Sequence, residues 1–324
     1  MPLLKLVPDN TNIDFMKWRN VALILSLLVT IGSVVLVGVR GLNFGVDFVG
    51  GQMVRVSFSQ PVELDQLRGG IESLNLGDVT IQEFGDPNTV AIRMPLPEGG
   101  EAAANVAAER VKDAVTQIAP TAKFEAVETV SGKVSEELLQ SGALAIGLAM
   151  LGIAIYIWVR FEWQFGVGAL STLLHDVCLT MGFFSLTQLE FNLNVVAAIL
   201  TIVGYSLNDT VVIYDRIREN LRKFRKMELV PLLNLSLNET LSRTIVTSLS
   251  IMIALLVLLL IGPDVIFGLT AAILLGTFIG TYSSIYISAP MLVWLKVDSN
   301  SFLPKGGSGP ATGAERVKPH SEGY

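Results

Sequence analysis

Long apolar runs divide this chain into segments suited to a lipid bilayer and one large segment that is not. A hydrocarbon core needs about 20 apolar residues per helix. We therefore predict six membrane-spanning helices, at 18–39, 138–159, 165–186, 195–215, 243–261 and 265–295. The first run is too long for a signal peptide, and no small-residue cleavage site follows it, so we expect it to remain as a membrane anchor.

The segment at 40–137 has short periodic patterns instead of apolar runs. Alternation at 52–58, 78–84, 89–94 and 123–130 predicts four strands, with Gly85–Asn88 as the turn between the second and third. Helical spacing at 62–74 and 101–118 predicts two helices. The order βαββαβ indicates a ferredoxin-like antiparallel sheet with both helices on one face. The segment has no Cys, His or Gly-rich phosphate loop, which favours a binding or mechanical domain over a catalytic one.

The predicted fold class is therefore an α-helical polytopic membrane protein with one α+β domain outside the bilayer. Apolar residues make up 51% of the chain, charged residues 16%, and the mean hydropathy is +0.56, as in a membrane protein. Residues 1–17 form the segment before the first helix. The Gly-, Ser- and Pro-rich tail at 296–324 is expected to be disordered.

The distribution of Lys and Arg predicts the orientation, because these residues collect in cytoplasmic loops. Basic residues lie before the first span and in a loop at 216–235, whereas the loops at 187–194 and 262–264 have none. Both termini are therefore expected in the cytoplasm, and the domain at 40–137, with 8 basic and 15 acidic residues, on the outer side. Beside a membrane helix, the basic run favours lipid headgroups over nucleic acid. The single cysteine, Cys178, excludes an intrachain disulfide.

A carboxylate inside an apolar helix is the main candidate for function. Asp209 lies in the predicted fourth span, where an ionised group costs at least about 2.5–3.5 kcal/mol. We therefore expect it to pair with a cation, to be protonated or to have a functional role. Arg243, at the start of the fifth span, is the expected partner. It belongs to a predicted inward polar stripe of residues spaced by three or four: Ser236, Thr240, Arg243, Thr247 and Ser250. Two readings of Asp209 and Arg243 stay open: transport of a proton or cation, and a static bridge between two helices. The alternative for Arg243 is a local pair with Glu239.

Other intramembrane polar residues are weaker candidates. His175 and Asp176 in the third span could titrate or satisfy one another, and Asn208 neighbours Asp209. Asp215 is expected to form a surface ion pair near Arg216 and Arg218. Asp176 and Asp209 on neighbouring spans also suggest an intramembrane aspartyl protease, in which two carboxylates share one proton. However, no GxGD motif accompanies Asp209, and the nearby Arg243 argues against a shared proton. Nothing in the sequence indicates a metal site or cofactor.

Small residues at intervals of four mark the last span, and this spacing lets another helix approach closely. They are Gly268, Ala272, Gly276, Gly280, Ser284 and Ser288. Ala143, Gly147 and Gly152 suggest a similar packing surface on the second span. Packing is the expected role, with sliding of helices as the alternative.

Four motifs together resemble a known family. They are GLNFGVDFVGG at 41–51, LHDV at 174–177, GYSLNDTVVIYDRIREN at 204–220 and LSRTIVTSLS at 241–250. In this order, over 12–297, they closely resemble the SecF family of bacterial protein-export subunits. The family's membrane-embedded Asp and Arg fall on Asp209 and Arg243. Gly45, Asp47, Gly50 and Gly51 belong to its motif after the first span.

The resemblance implies a role beyond what composition shows. It implies half of a bundle of the resistance, nodulation and division type, completed by SecD as an obligate partner. The pair would use the proton-motive force to complete translocation of unfolded polypeptide across the inner membrane, after the SecYEG channel and SecA have begun it, with YajC as a further partner. This is a transport subunit and not an enzyme. The alternatives are a small-solute exporter half of the same superfamily and a purely structural scaffold.

Overall fold

A computed structural model describes residue 8 and residues 11–60, 62–84 and 86–297. Six helices in it are long and apolar enough to cross a membrane. The first comprises a 3₁₀ turn, Phe15–Trp18, and α1, Arg19–Arg40. The next four are α5 (Gly132–Arg160), α6 (Trp163–Thr187), α7 (Leu193–Lys223) and α8 (Leu229–Ile261). The sixth comprises α9 (Phe267–Ser283), a π turn (Ser284–Ser288) and α10 (Ala289–Trp294).

The six helices form an inner and an outer group. About half of the apolar stretch of α6, α7 and the α9–α10 helix is buried within the chain, whereas α1, α5 and α8 are mostly exposed. The π turn follows from Pro290, which has no N–H to donate to the carbonyl of the preceding turn. The carbonyl of Ser288, at the end of the π turn, accepts the hydroxyl of the buried Tyr214 at 3.2 Å. The π turn therefore joins the end of the last helix to α7.

The α+β domain has the predicted order of elements. Its strands are β1 (Gly51–Ser57), β2 (Thr80–Phe84), β3 (Asp86–Met94) and β4 (Lys123–Val130), and its helices are α3 (Leu64–Glu72) and α4 (Gly100–Ile118). All strand pairs are antiparallel in the order β2-β3-β1-β4, which is the ferredoxin-like topology. A four-residue helix, α2 (Val46–Val49), precedes β1 and was not predicted.

The two faces of the sheet have different tasks, because successive strand residues point to opposite sides. Val54 and Val56 face α3 and α4 and pack with Leu67, Ile92 and Val111 in the domain core. Met53 packs on the opposite face with Val46 of α2 and Ala91. This second face, which also carries Arg55 and Arg93, lies toward the membrane helices.

Several predicted boundaries were wrong. The fifth helix begins at Leu229, about four turns before the predicted 243, since its first part is amphipathic and packs on the bundle. The predicted loop at 216–235 is therefore mostly helical, and only 224–228 separates α7 from α8. The third strand begins at Asp86 instead of residue 89. The predicted disordered tail lies outside the described residues from 298 onward.

Candidate functional site

Asp209 is buried inside the helical bundle. Its residue is 5% exposed, and its Oδ1 accepts a hydrogen bond from the hydroxyl of Thr244 on α8 at 3.1 Å. Its Oδ2 is buried and forms no hydrogen bond of acceptable geometry among the residues that the structure describes, although the Ser284 hydroxyl and the Arg243 guanidinium are near enough to interact with the carboxylate. A buried acceptor without a partner is costly, so this oxygen is a place where a proton can bind.

The predicted contact between Asp209 and Arg243 does not form in this chain. Arg243 is exposed and has no ion pair within the described ranges. Adjacent helix positions differ by about 100°, so when Thr244 faces Asp209 its neighbour Arg243 points elsewhere. The local alternative does not form either, because Glu239 pairs with Arg216 at 2.7 Å and accepts a hydrogen bond from Asn220.

The inward polar stripe on α8 differs from the predicted one. Four buried hydroxyl residues spaced by four form it: Ser236, Thr240, Thr244 and Ser248. Ser248 lies 2.8 Å from the hydroxyl of Tyr205 on α7 and 2.7 Å from that of Thr281 on α9. Only Ser236 and Thr240 were predicted correctly. Arg243, Thr247 and Ser250 are exposed.

An uncovered polar surface therefore lies beside the buried carboxylate. Its members are exposed on α7 or α8: Thr201, Asn208, Arg243, Thr247 and Ser250. Backbone carbonyls one turn earlier in the same helix accept the hydroxyls of Thr201, Thr247 and Ser250. A guanidinium and an amide within membrane-spanning helices are expensive in lipid and normally face protein or water.

His175 and Asp176 form a buried junction between three helices. Nδ1 of His175 lies 2.9 Å from Oδ1 of Asp176. Oδ2 of Asp176 accepts the hydroxyls of Ser206 on α7 at 2.5 Å and Ser283 on α9 at 3.0 Å. The Asp176 carboxylate, which is fully buried, thus has partners at both oxygens. It differs in this respect from Asp209, and the sequence did not reveal Ser206 and Ser283.

Ion pairs lie where the basic ends of α5 and α7 meet the start of α6. Asp215 pairs with Arg160 at 3.0 Å, and Arg218 approaches Glu162 at 3.5 Å. Asp215 thus lies in a surface ion pair, although its partner comes from α5 and not from the neighbouring arginines.

The small residues of the last helix lie against α7. A methyl group on Gly276 would overlap Ile202, and one on Gly280 would come within 3.2 Å of Ser206. Ala272 is buried in the same interface, and Gly268 lies near Val195. The small residues of the second span are not used for packing within this chain, and their role as a packing surface stays a prediction. Ala143, Gly147 and Gly152 are exposed on α5, and a Cβ on either glycine would meet nothing within 4 Å.

The GLNFGVDFVGG segment connects the α+β domain to the helices. Gly45 precedes α2, and Oδ2 of Asp47 accepts the backbone N–H of Leu193 at the start of α7, at 2.9 Å. Gly50 and Gly51 have φ of 78° and 113°, which disfavours any residue with a Cβ. A Cβ on Gly51 would lie 2.7 Å from the carbonyl oxygen of Met94. These glycines therefore permit a tight turn into β1.

No group of three or more His, Cys, Asp or Glu residues suited to a metal ion occurs among the residues that the structure describes.

Two family models match this chain. Residues 110–298 match "Protein export membrane protein SecD/SecF, C-terminal", and residues 35–62 match the SecD/SecF GG motif. The chain is also 44% identical over 301 residues to the protein translocase subunit SecF of Cereibacter sphaeroides, covering 91% of this chain and 93% of that one.

The chain belongs to the SecF family.

Other members and solved structures agree with this membership. SecF of Rickettsia rickettsii is 43% identical over 291 residues, which cover 89% of this chain and 94% of that protein. The crystal structure of SecDF from Thermus thermophilus, a translocon-associated membrane protein, matches with a TM-score of 0.82, 33% identity and coverage of 90% of this chain. A second structure, SecDF in the super-membrane-facing form, matches with a TM-score of 0.65, 33% identity and 91% coverage. The chain spans 40% of the length of each SecDF chain.

The comparisons and the structure confirm the central predictions. The fold is a six-helix membrane bundle with a ferredoxin-like α+β domain, as in SecDF. The chain is a multi-pass membrane subunit of the Sec protein-export machinery, and so a transport protein.

Proposed function

We propose that this subunit pairs with SecD and couples the proton-motive force to the completion of protein export, with Asp209 as its proton-binding group. The observation that carries the proposal is the buried, half-satisfied carboxylate of Asp209. A permanent bridge to Arg243 would give the carboxylate a fixed partner, but the two side chains do not meet here. This favours a group that gains and loses a proton over a static bridge.

The uncovered polar surface supports SecD as the partner. Asn208 directly precedes Asp209, and Arg243 directly precedes Thr244, yet both face away from the bundle. A second helical half would cover them and complete the surroundings of Asp209. The match to only 40% of each SecDF chain leaves room for such a half. In this arrangement, the side chain of Arg243 faces SecD across the interface between the two subunits.

His175 and Asp176 are proposed as supporting residues. The carboxylate of Asp176 is an acceptor for three donors on three helices, which suits a fixed junction more than a moving proton. By holding α6, α7 and α9 together, the junction keeps α7 in register when Asp209 changes its charge.

The orientation follows from the positive-inside rule, with both termini cytoplasmic and the α+β domain on the outer side of the inner membrane. One charge that crosses the membrane potential releases about 2.3 kcal/mol per 100 mV, which is enough to shift a two-state equilibrium more than tenfold. SecYEG, SecA, YajC and the emerging unfolded polypeptide are the expected partners of the assembly, and basic residues near 216–226 are expected to contact lipid headgroups.

The test is export of a preprotein into membrane vesicles that contain SecD and this subunit, with and without a proton gradient. Asp209→Asn should abolish the gradient-dependent part of export, while SecA-driven transfer and SecD association remain. Asp215→Asn is the matched control, because Asp215 lies at the exposed end of the same helix in a surface ion pair. Full retention of gradient-dependent export in Asp209→Asn would leave a scaffold role.

A further inference from the structure

The turn between α6 and α7, residues 188–192, holds the α+β domain through backbone contacts. The N–H of Gly45 donates to the carbonyl of Phe191 at 2.9 Å, and the N–H of Phe191 donates to the carbonyl of Asn43 at 2.7 Å. The rings of Phe44 and Phe48 pack against that of Phe191, with centroids 5.8 and 6.1 Å away. This turn and the segment after α1 thus form one packed unit.

A buried ion pair joins this unit to the sheet. Nη2 of Arg93, on β3, lies 3.0 Å from Oε2 of Glu190 in the turn, and the two side chains are 16% and 7% exposed. Nη1 of the same guanidinium donates to Oδ1 of Asn43 at 3.1 Å and to the carbonyl of Phe44 at 2.8 Å. Asn43 in turn donates to the carbonyl of Gln188 and to the side chain of Gln82 on β2, both at 2.8 Å.

Gly45 leaves the space that this ion pair needs. A methyl group on Gly45 would overlap Oε1 of Glu190, and the backbone of Gly45 has an ordinary φ of −73°. A side chain is therefore excluded here by contact and not by backbone conformation. The same segment holds α7 through Asp47 and Leu193.

We propose that Arg93 and Glu190 are positioning residues that transmit movement of α7 to the α+β domain. The inference rests on the proposed function, because it needs α7 to respond to the charge of Asp209. Asp209 lies 16 residues from Leu193, or about 24 Å along one continuous helix. A helix that long moves as a rigid element, and Glu190 is three residues before its start.

The placement of Arg93 on the sheet makes the anchor effective. Its neighbour on β1 is Met53, which packs with Val46 of α2, so the ion pair lies beside an apolar contact of the same two parts. A cavity of about 240 Å³ lies next to Arg93 and Glu190, lined also by Gln82, Thr187 and Leu269. The ion pair thus lies at the edge of a cavity between the domain and the helices.

The two SecDF structures differ in how well they match this chain. At equal identity and nearly equal coverage, their TM-scores are 0.82 and 0.65. The part of SecDF that matches this chain therefore differs in conformation between those two structures.

The experiment uses the full chain with SecD in vesicles and measures a distance between two spin labels. The labels are attached at Val106→Cys on α4 and Ile261→Cys at the end of α8, both exposed, in a Cys178→Ser background. The variants are Arg93→Met and the charge exchange Arg93→Glu with Glu190→Arg. The matched control is Arg68→Met, which removes an exposed ion pair with Asp65 inside the α+β domain.

We expect Arg93→Met to broaden the distance distribution and to reduce gradient-dependent export severalfold, whereas Arg68→Met changes neither. The charge exchange should restore part of both, which also shows that loss of folding is not the cause. An unchanged distribution in Arg93→Met, or a broadened distribution with full export, would overturn the transmission role. If Asp209→Asn retains gradient-dependent export and Arg93→Met still broadens the distribution, the proposed function fails while the positioning role persists without transmission of a proton signal.

Discussion

The carboxylate of Asp47 accepts a hydrogen bond from the backbone N–H of Leu193, the first residue of α7, at 2.9 Å. The side chain of Asn192, the residue just before the helix, accepts the N–H of Val195 at 3.3 Å. Two side chains from distant parts of the sequence thus satisfy the free N–H groups at this helix start. The negative charge of Asp47 also lies at the positive end of the helix dipole.

Replacing Asp47 by Ala should therefore lower the free energy of unfolding by about 1 kcal/mol, because a helix cap is lost. Asp47→Asn should cost less, since its amide oxygen can still accept the bond. The measurement is thermal unfolding of the detergent-purified protein. Equal melting temperatures for wild type and Asp47→Ala would show that Asn192 and solvent suffice.

Gly51→Ala should destabilise the α+β domain. The new Cβ would lie 2.7 Å from the carbonyl oxygen of Met94, and the backbone has φ of 113°, so we expect a cost of about 1–3 kcal/mol. Gly69→Ala is the matched control, because it lies within α3 with nothing within 4 Å and should stabilise by about 0.5–1 kcal/mol. Urea unfolding followed by circular dichroism compares the two. Similar shifts in both variants would contradict the role of the backbone at Gly51.

Gly276→Ala should weaken the packing of α9 on α7. A methyl group at this position would lie within 2.7 Å of three atoms of Ile202, and overpacking typically costs about 1–3 kcal/mol. Gly204→Ala on α7 is the control, since its Cβ meets nothing within 4 Å. The melting temperature in detergent should fall for Gly276→Ala alone. A stable Gly276→Ala would mean that Ile202 can change its rotamer freely.

Thr244→Val should disturb export more than Thr247→Val. Thr244 gives Asp209 its hydrogen bond, and a bond to a charged group is worth about 1.5–3 kcal/mol, which corresponds to about tenfold or more in an equilibrium constant. Thr247 donates only to carbonyls of its own helix. Gradient-dependent export in vesicles is the measurement. Equal activity of the two variants would remove Thr244 from the surroundings of the working carboxylate.

Glu190 should make stability depend on pH. Burial raises the pKa of Glu190, and the nearby Arg93 and Arg55 oppose this shift while Glu128 adds to it. A raised pKa means that the packed state binds the proton more tightly than the unfolded state. The resulting stabilisation is present below the ordinary pKa of the carboxyl and is lost as the pH rises through the raised value.

Glu190→Gln should therefore flatten the pH dependence of the melting temperature in the acidic range. Glu109→Gln is the control, because Glu109 forms only an exposed pair with Lys112. A wild-type profile that Glu190→Gln leaves unchanged would show that this carboxyl does not contribute to the dependence.

Several features were determined by the sequence itself, because they depend on local order. The number of spans follows from the length of apolar runs, and the βαββαβ order follows from periods of two and 3.6 residues. β4 was predicted at its observed bounds, Lys123–Val130. The candidate Asp209 also needed only its position inside an apolar helix.

Only the tertiary structure decided which side chains meet. Thr244 and not Arg243 faces Asp209, because rotation of α8 by one position is set by its packing against α7 and α9. The contacts of Asp176 with Ser206 and Ser283, and of Glu190 with Arg93, join residues up to 107 positions apart, and no periodic pattern specifies such pairs. A helical period shows that a stripe exists, but the neighbouring helices determine which stripe points inward.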